Sequence, residues 1–384
     1  MATIDQLMGT ALISADRLVV DMSNTIALLQ PSAAPLTALT KRLRYKEIAT
    51  NPKFQWLEDN LLGWTTAVNN VAGYVAGDLS IVVDDASIFN PDDIAIIPST
   101  GECIRITAKD VATNTLTITR GIGSVAAAMV NDDPILILGG ASQEGGLSRD
   151  LNIQDTVAVY NLCQIFKTTV GVTNTQDNTR TYGPKEHARQ LKLKGIEHTI
   201  AMERQFWFGT RDEKLAADGQ AIRTTGGVMA RLTENVWDVP AGVATEADMN
   251  EALESVFAYG KDTKIMFASP RWCTTLDGFG RAALRINDKV SAAIGFAAKE
   301  YVSTHGRLIV VKNPLFTGAV YGGYAAIMDL DNVKFRPLQG RDTKLHTNVQ
   351  ENGRDGRKDE YRTEAGIEVR LPKTHALFKG LSLA

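Results

Sequence analysis

The sequence predicts an α+β fold interrupted by a small all-β module. Three observations lead there. Between about Val75 and Leu138, short alternating runs recur at regular spacing with turn residues between them, as in a compact barrel or sandwich. Pro184 to Phe208 carries a helical 3-4-7 pattern, a rod of roughly 37 Å at about 1.5 Å per residue. After Gly226-Gly227, helices and strands alternate to the end of the chain.

In order along the chain, Asp16–Leu29 reads as one short amphipathic helix. Gln30-Pro31-Ser32-Ala33-Ala34-Pro35 follows, and its two prolines favour extended backbone on themselves and their neighbours. Thr37–Tyr45 resumes a basic helical turn. These first residues hold too few apolar side chains for a core, which predicts an arm that lies on something else; the competing expectation is a loose terminus. Phe54–Glu58 is a short aromatic strand. The module's strands are Leu79–Val83, Ile94–Ile97, Cys103–Thr107, Leu116–Thr119 and Pro134–Leu138. Val157–Val170 has strand propensity throughout and would reach roughly 46 Å at about 3.3 Å per residue. That length suits a projecting hairpin with Phe54–Leu62 as its partner and the module carried between them.

On the long helix, Leu193, Ile196, Ile200 and Trp207 form the apolar stripe, and Gly195 marks a close packing contact. Thr245 with Asp248 makes a capping box for a helix reaching Tyr259. Strands are expected at Lys264–Ala268, Arg307–Val311, Val320–Met328 and Val333–Arg336, with helices at Arg271–Leu284 and Ala292–Ala298. The polar stretch Gln339–Lys358 precedes a last strand, Tyr361–Leu371.

Composition narrows the function classes. The 384 residues suggest two or three modules, and 44% hydrophobic with 22% charged residues is an ordinary globular balance. A net charge of −3 argues against a binder that works through a general basic field. The cysteines Cys103, Cys163 and Cys273 are too few and too scattered for a disulfide framework or a four-cysteine zinc site, which suits a reducing compartment. Asn313–Met328 lacks charge but contains Pro314 and three glycines, and it falls short of the about 20 residues a spanning helix needs. Asp5 precedes the first basic residue, Arg17, unlike a secretory signal. A soluble intracellular chain is the expectation.

Chemistry is sparse. Gly121-Ile122-Gly123-Ser124-Val125-Ala126 partly imitates a dinucleotide-binding turn, but the next strand begins too soon for a crossover helix. The pairs Asp84-Asp85, Asp92-Asp93 and Asp132-Asp133 fit turns better than a calcium site or acid–base work. His187 and His198 share a helix face without a carboxylate at a recognised ligand spacing. Cys163 has no neighbouring base, and Ser269 lacks a glycine-flanked elbow. The expectation is no catalytic, cofactor-binding or metal residue, and no enzyme.

A resemblance then enters on order and spacing. Asp21-Met22-Ser23 through Leu29, Pro31, Pro35-Leu36, Phe54-Gln55-Trp56-Leu57-Glu58-Asp59, Tyr160 through Phe166, Tyr182-Gly183, Ile265–Pro270 and Tyr361 through Val369 carry it. In this order the chain resembles the major capsid (major head) proteins of tailed bacteriophages, which have the Hong Kong 97 capsid fold. The resemblance implies an N-terminal arm over 1–53 and an extended loop over 54–168 containing the inserted β domain at about 67–140. It implies a peripheral domain over 169–237 with a spine helix at 184–208, an axial domain over 238–329, and returning peripheral strands over 330–384.

The function so implied is self-assembly into hexamers and pentamers that form the icosahedral head shell around phage DNA, followed by shell expansion. Partners would be other copies of the chain, with scaffold, portal and decoration proteins as candidates, weak nonspecific contact with packaged DNA, and no membrane. Its location would be the virion capsid, after assembly in the host bacterial cytoplasm. Near neutrality agrees, since crowded copies tolerate little self-repulsion. The alternatives are a decoration or tail structural protein, or an enzyme with an accessory β module. Deleting Met1–Tyr45 is expected to spare the fold and impair shells, and excising Val75–Leu138 is expected to spare the core.

Overall fold

The computed structural model describes residues 34–42, 45–142, 144–145, 152, 155–180, 185–279, 284–286 and 298–382. The expected helices at Asp16–Leu29 and over 292–297, and Pro184 as first helical residue, lie outside them. The chain divides into two units, one of residues 1–56 with 159–384 and one of residues 57–158.

Helix α1 (Pro35–Arg42) opens on the proline expected to be extended. Proline's fixed φ suits a first helical position, where its missing N–H costs nothing, so Pro35 starts the helix instead of holding the chain straight. Leu36 and Leu39 are fully buried in the main core. Each such side chain contributes about 1.5–3 kcal/mol of burial. This corrects the expectation that the whole N-terminal segment lies on something else: Pro35–Arg42 packs into the core of its own chain. Strand β1 (Lys53–Glu58) follows, with Phe54 and Trp56 inward.

The second unit is a barrel. Its strands are β2 (Thr65–Ala67), β3 (Ser80–Val82), β4 (Asp93–Ile97), β5 (Glu102–Asp110), β6 (Thr115–Thr119) and β7 (Pro134–Gly140), in the order β2-β7-β4-β5-β6-β3. Val68 bridges Val83, so the two edge strands meet and the sheet closes on itself. Closure removes both open edges. Register shifts at Ile94/Ala95 and Ile106/Ala108 supply the local bends. Ile81, Phe89, Ile97, Ile104, Ile106, Leu116 and Ile135 fill the interior. Five strands were expected; β2 is the sixth, because Thr-Thr-Ala is too short to show alternation.

The first unit resumes with β8 (Val157–Leu162) and β9 (Gln164–Val172), then α2 (Asn174–Asn178) and the long helix α3 (Glu186–Phe208). Next come β10 (Asp212–Leu215), β11 (Ala221–Thr224), β12 (Val236–Asp238), α4 (Glu246–Phe257), β13 (Thr263–Ala268) and α5 (Pro270–Gly278). The rest is β14 (Leu284–Ile286), β15 (Ala298–Val302), β16 (Arg307–Lys312), the short helix α6 (Gly318–Tyr321), β17 (Ala325–Met328), β18 (Val333–Pro337), β19 (Lys344–His346), β20 (Arg357–Val369) and β21 (Ala376–Lys379), so the strand expected at Val320–Met328 is confined to its second half.

The long strand expected at Val157–Val170 is two strands that part at Cys163. Strand β8 pairs with β1, as the hairpin reading required, but β9 pairs with β20 from Gln164↔Ala365 to Val172↔Arg357. The second half therefore belongs to the body, where Phe166 and Val170 find a core to bury them. Strand β20 spans β9 on one edge and both β18 and β19 on the other. A seven-stranded mixed sheet runs β12-β21-β17-β13-β16-β15-β14. Within it β21, expected among the returning strands of 330–384, pairs with β12 and β17. The expected helix Arg271–Leu284 stops at Gly278, and Leu284 begins a strand instead.

Helix α3 buries His198, Met202, Glu203, Phe206 and Trp207, whereas Leu193, Ile196 and Ile200 are only half-buried. The apolar stripe thus shifts toward the C-terminal half. There Phe206 packs edge-on against Phe166 and Phe335, and Trp207 against Phe267 and Phe316. Phe166 and Phe335 belong to the sheet of β9, β18 and β20 and Phe267 to the seven-stranded one, so the helix end joins the two. Gly195 meets Tyr361, whose hydroxyl would lie 3.3 Å from an added Cβ. On the other face of the large sheet, α4 and α5 bury Leu253, Met266, Trp272, Tyr301 and Phe378.

The capping box of α4 forms as spaced: Thr245 Oγ1 accepts the Asp248 N–H and Asp248 accepts the Thr245 N–H. Thr245→Ala should lower unfolding free energy by about 1 kcal/mol in urea titration. No measurable loss would show that the cap is dispensable. At the other end of α4, buried Lys264 donates to the carbonyls of Val256, Tyr259 and Thr374 at 2.6–2.7 Å. Burial brings its ammonium down to about 8.

Candidate functional site

The residues singled out as candidate chemistry have structural roles. The Gly121–Ala126 loop wraps a buried ion pair. Arg120 Nε donates to Glu102 Oε1 at 2.8 Å, and Glu102 also accepts the N–H groups of Gly121 and Ala127. Burial pushes the Glu102 carboxyl up, but the Arg120 guanidinium and those backbone donors bring it below its ordinary value. Asp85, Asp93 and Asp133 accept backbone N–H groups two or three residues away, as turn residues do. Asp92 and Asp132 sit at positive φ in the same turns.

His187 Nε2 lies 3.0 Å from the buried Asp359 carboxylate. His198 is held between the hydroxyls of Thr168 and Thr363 at 2.9 and 2.8 Å. Both tie α3 to the sheet beneath it. Burial pushes the Cys163 thiol up to about 12, away from the reactive thiolate. Ser269 caps α5 by accepting the Trp272 N–H. Among the described residues no three His, Cys, Asp or Glu side chains gather as a metal site, and no helix is long and apolar enough to cross a membrane.

What the molecule does present is attachment points and uncovered apolar surface. The N-terminal segment is fastened by Glu203. Its carboxylate accepts the Leu36 and Thr37 N–H groups at 2.8 and 2.7 Å, the Thr37 hydroxyl at 2.6 Å and the Trp207 indole N–H at 2.9 Å. An acid at the first turn of α1 meets its unsatisfied donors and the positive end of its dipole. Downstream, Lys46 and Ala49 bridge Phe335 and Leu338. Glu47 receives Lys334 and Arg336, both at 2.7 Å, and Arg336 also reaches buried Glu368 at 2.8 Å. Lys334 and Arg336 hold the Glu47 carboxyl below its ordinary value.

A cleft of about 570 Å³ is lined by Ala34, by Ile200, Arg204 and Phe208 of α3, and by Leu315. In the second unit, the end of β1 exposes Leu57, and the segment after it exposes Leu61 at 97% and Trp64 at 64%. Large apolar side chains grouped so near the surface mark a contact face. Sequence reading passed over Glu102 and Glu203. The signal was present: each is an acid on the inward phase of its strand or helix.

A profile of the SU10 major capsid protein matches residues 4–382. The chain belongs to that family. The major capsid protein of Pseudomonas phage PaMx41 is 24% identical over 252 residues, 62% of this chain, which spans about 60% of that relative's length. Among solved structures, the capsid of a native GTA particle superposes with a TM-score of 0.52 at 10% identity, covering 97% of this chain and 98% of the other. A solved structure of Mycobacterium phage Bobi gives 0.49 at 8% identity over 97% and 99%. The fold of this SU10-type capsid protein is thus the Hong Kong 97-type capsid fold. Family membership makes it a structural protein of the phage virion and not an enzyme.

Proposed function

We propose that this chain assembles with copies of itself into hexamers and pentamers that close an icosahedral head shell around phage DNA. The observation that carries this reading is the family match over residues 4–382. The exposed Leu57, Leu61 and Trp64 support it, because an isolated subunit leaves them in water and a neighbour would cover them. In this reading 1–53 is the arm, of which 34–42 is the anchored root. Residues 54–168 form the extended loop with its barrel, 169–237 the peripheral domain, 238–329 the axial domain and 330–384 the returning strands. Scaffold, portal and decoration proteins are its further partners, DNA contact is weak and nonspecific, and assembly takes place in the host cytoplasm.

Electron microscopy of the purified chain, alone and with candidate scaffold, tests the reading. Closed shells are expected; a strict monomer under all conditions overturns it. The buried Leu36 and Leu39 set where the arm can be cut. Removing residues 1–33 should leave a subunit that melts within a few degrees of the intact one but no longer forms normal shells. Shells of ordinary yield and stability would remove the arm from assembly.

A further inference from the structure

One end of the barrel carries an apolar surface with almost no charge. Ala67 pairs with Pro134 and Thr65 with Leu136, so the loops after Ala67 and before Pro134 emerge at the end remote from the chain's connections at 57–64. These two loops run side by side: Tyr74 and Met129 exchange both backbone hydrogen bonds, at 2.8 and 2.9 Å. They expose Val71 at 94%, Val125 at 84%, and Val75, Leu79 and Val130. A third loop at this end, Pro98-Ser99-Thr100-Gly101, is exposed and uncharged.

In a chain with 22% charged residues, Asn69–Leu79 and Gly121–Val130 hold a single charged side chain, Asp78. Its carboxylate is engaged by the Val75 N–H at 2.8 Å. Asp132, in the last turn before β7, is a second, exposed acid at this end. Beneath the surface, Arg120 donates to the carbonyls of Val75 and Ala127 while Glu102 accepts the N–H groups of Gly121 and Ala127. Burying an ion pair is costly. Here it holds two loops in one shape while their large side chains face solvent, which lowers the ordering cost of contact.

We propose that this tip docks against the same tip of a second copy of the chain. A nucleic acid or a strongly charged protein finds no opposing charge on it. Tip against tip joins apolar to apolar and brings few like charges together, only Asp78 and Asp132 on each copy, and the same patch on both sides closes around a two-fold axis. The proposal rests on the capsid reading, because it needs many copies in one assembly.

Particles of full-length protein carrying Val125→Cys should yield a covalent dimer on mild oxidation, seen on a non-reducing gel. Ala112→Cys, on the exposed turn at the opposite end of the barrel, should not, and the unsubstituted chain with its own thiols is the blank. Val125 is exposed, so its replacement should leave the melting temperature unchanged. Intact Val125→Cys particles that give no dimer, or no more than Ala112→Cys particles, overturn the tip contact and leave the capsid reading standing. Failure of the unsubstituted chain to form particles overturns both.

Discussion

Glu102→Ala should destabilise the barrel by about 3–5 kcal/mol, the usual cost of stripping one partner from a buried ion pair. The Glu102 side chain is fully buried and that of Arg120 nearly so. Without the carboxylate, Arg120 keeps the Val75 and Ala127 carbonyls, but the Gly121 and Ala127 N–H groups lose their acceptor. The damage should be local, because the barrel has its own core. Hydrogen exchange of peptides from 57–158 should rise sharply while those from β13, β16 and β17 keep their protection. The double variant Glu102→Leu with Arg120→Met should lose less than Glu102→Ala, since it leaves no uncompensated charge. Equal exchange in wild type and Glu102→Ala would refute the clamp.

Glu203→Ala is the second large effect, expected at about 4 kcal/mol because three buried N–H donors and a hydroxyl lose their acceptor together. Helix α1 should detach first, so proteolysis within 34–42 should speed up before global unfolding shifts. Glu203→Gln keeps an acceptor oxygen and should lose less. Burial holds the Glu203 carboxyl above its ordinary value. The folded subunit therefore binds that proton more readily than the unfolded chain. The stability from this group is full below the ordinary carboxylate value and declines as pH rises through the folded one. The advantage of wild type over Glu203→Gln should narrow with rising pH. A constant gap across the titration would show that the carboxyl is not the proton-binding group.

These two acids show how far the sequence could be read. Alternation marked Cys103–Thr107 as a strand and so implied that Glu102 shares the inward phase with Ile104 and Ile106. Nothing local named its partner, since Arg120 lies 18 residues away across a turn. Glu203 is farther still from Leu36 and Thr37, 167 and 166 residues along the chain. The same limit explains the broken strand at Cys163. Propensity is continuous from Val157 to Val170, yet β8 has β1 for a partner and β9 has β20.

The sequence by itself determined most of the local elements. The β module, the long helix, the capping box and the turn roles of the aspartates all follow from periodicity and side-chain chemistry within a few residues. The order of these parts carried the family resemblance. Only the tertiary structure decided that the barrel closes through Val68 and Val83, that helix α1 is anchored by Glu203, and that β21 joins the larger sheet. Each of those depends on a contact between residues far apart in the chain, and a local period records which face is buried but not what buries it.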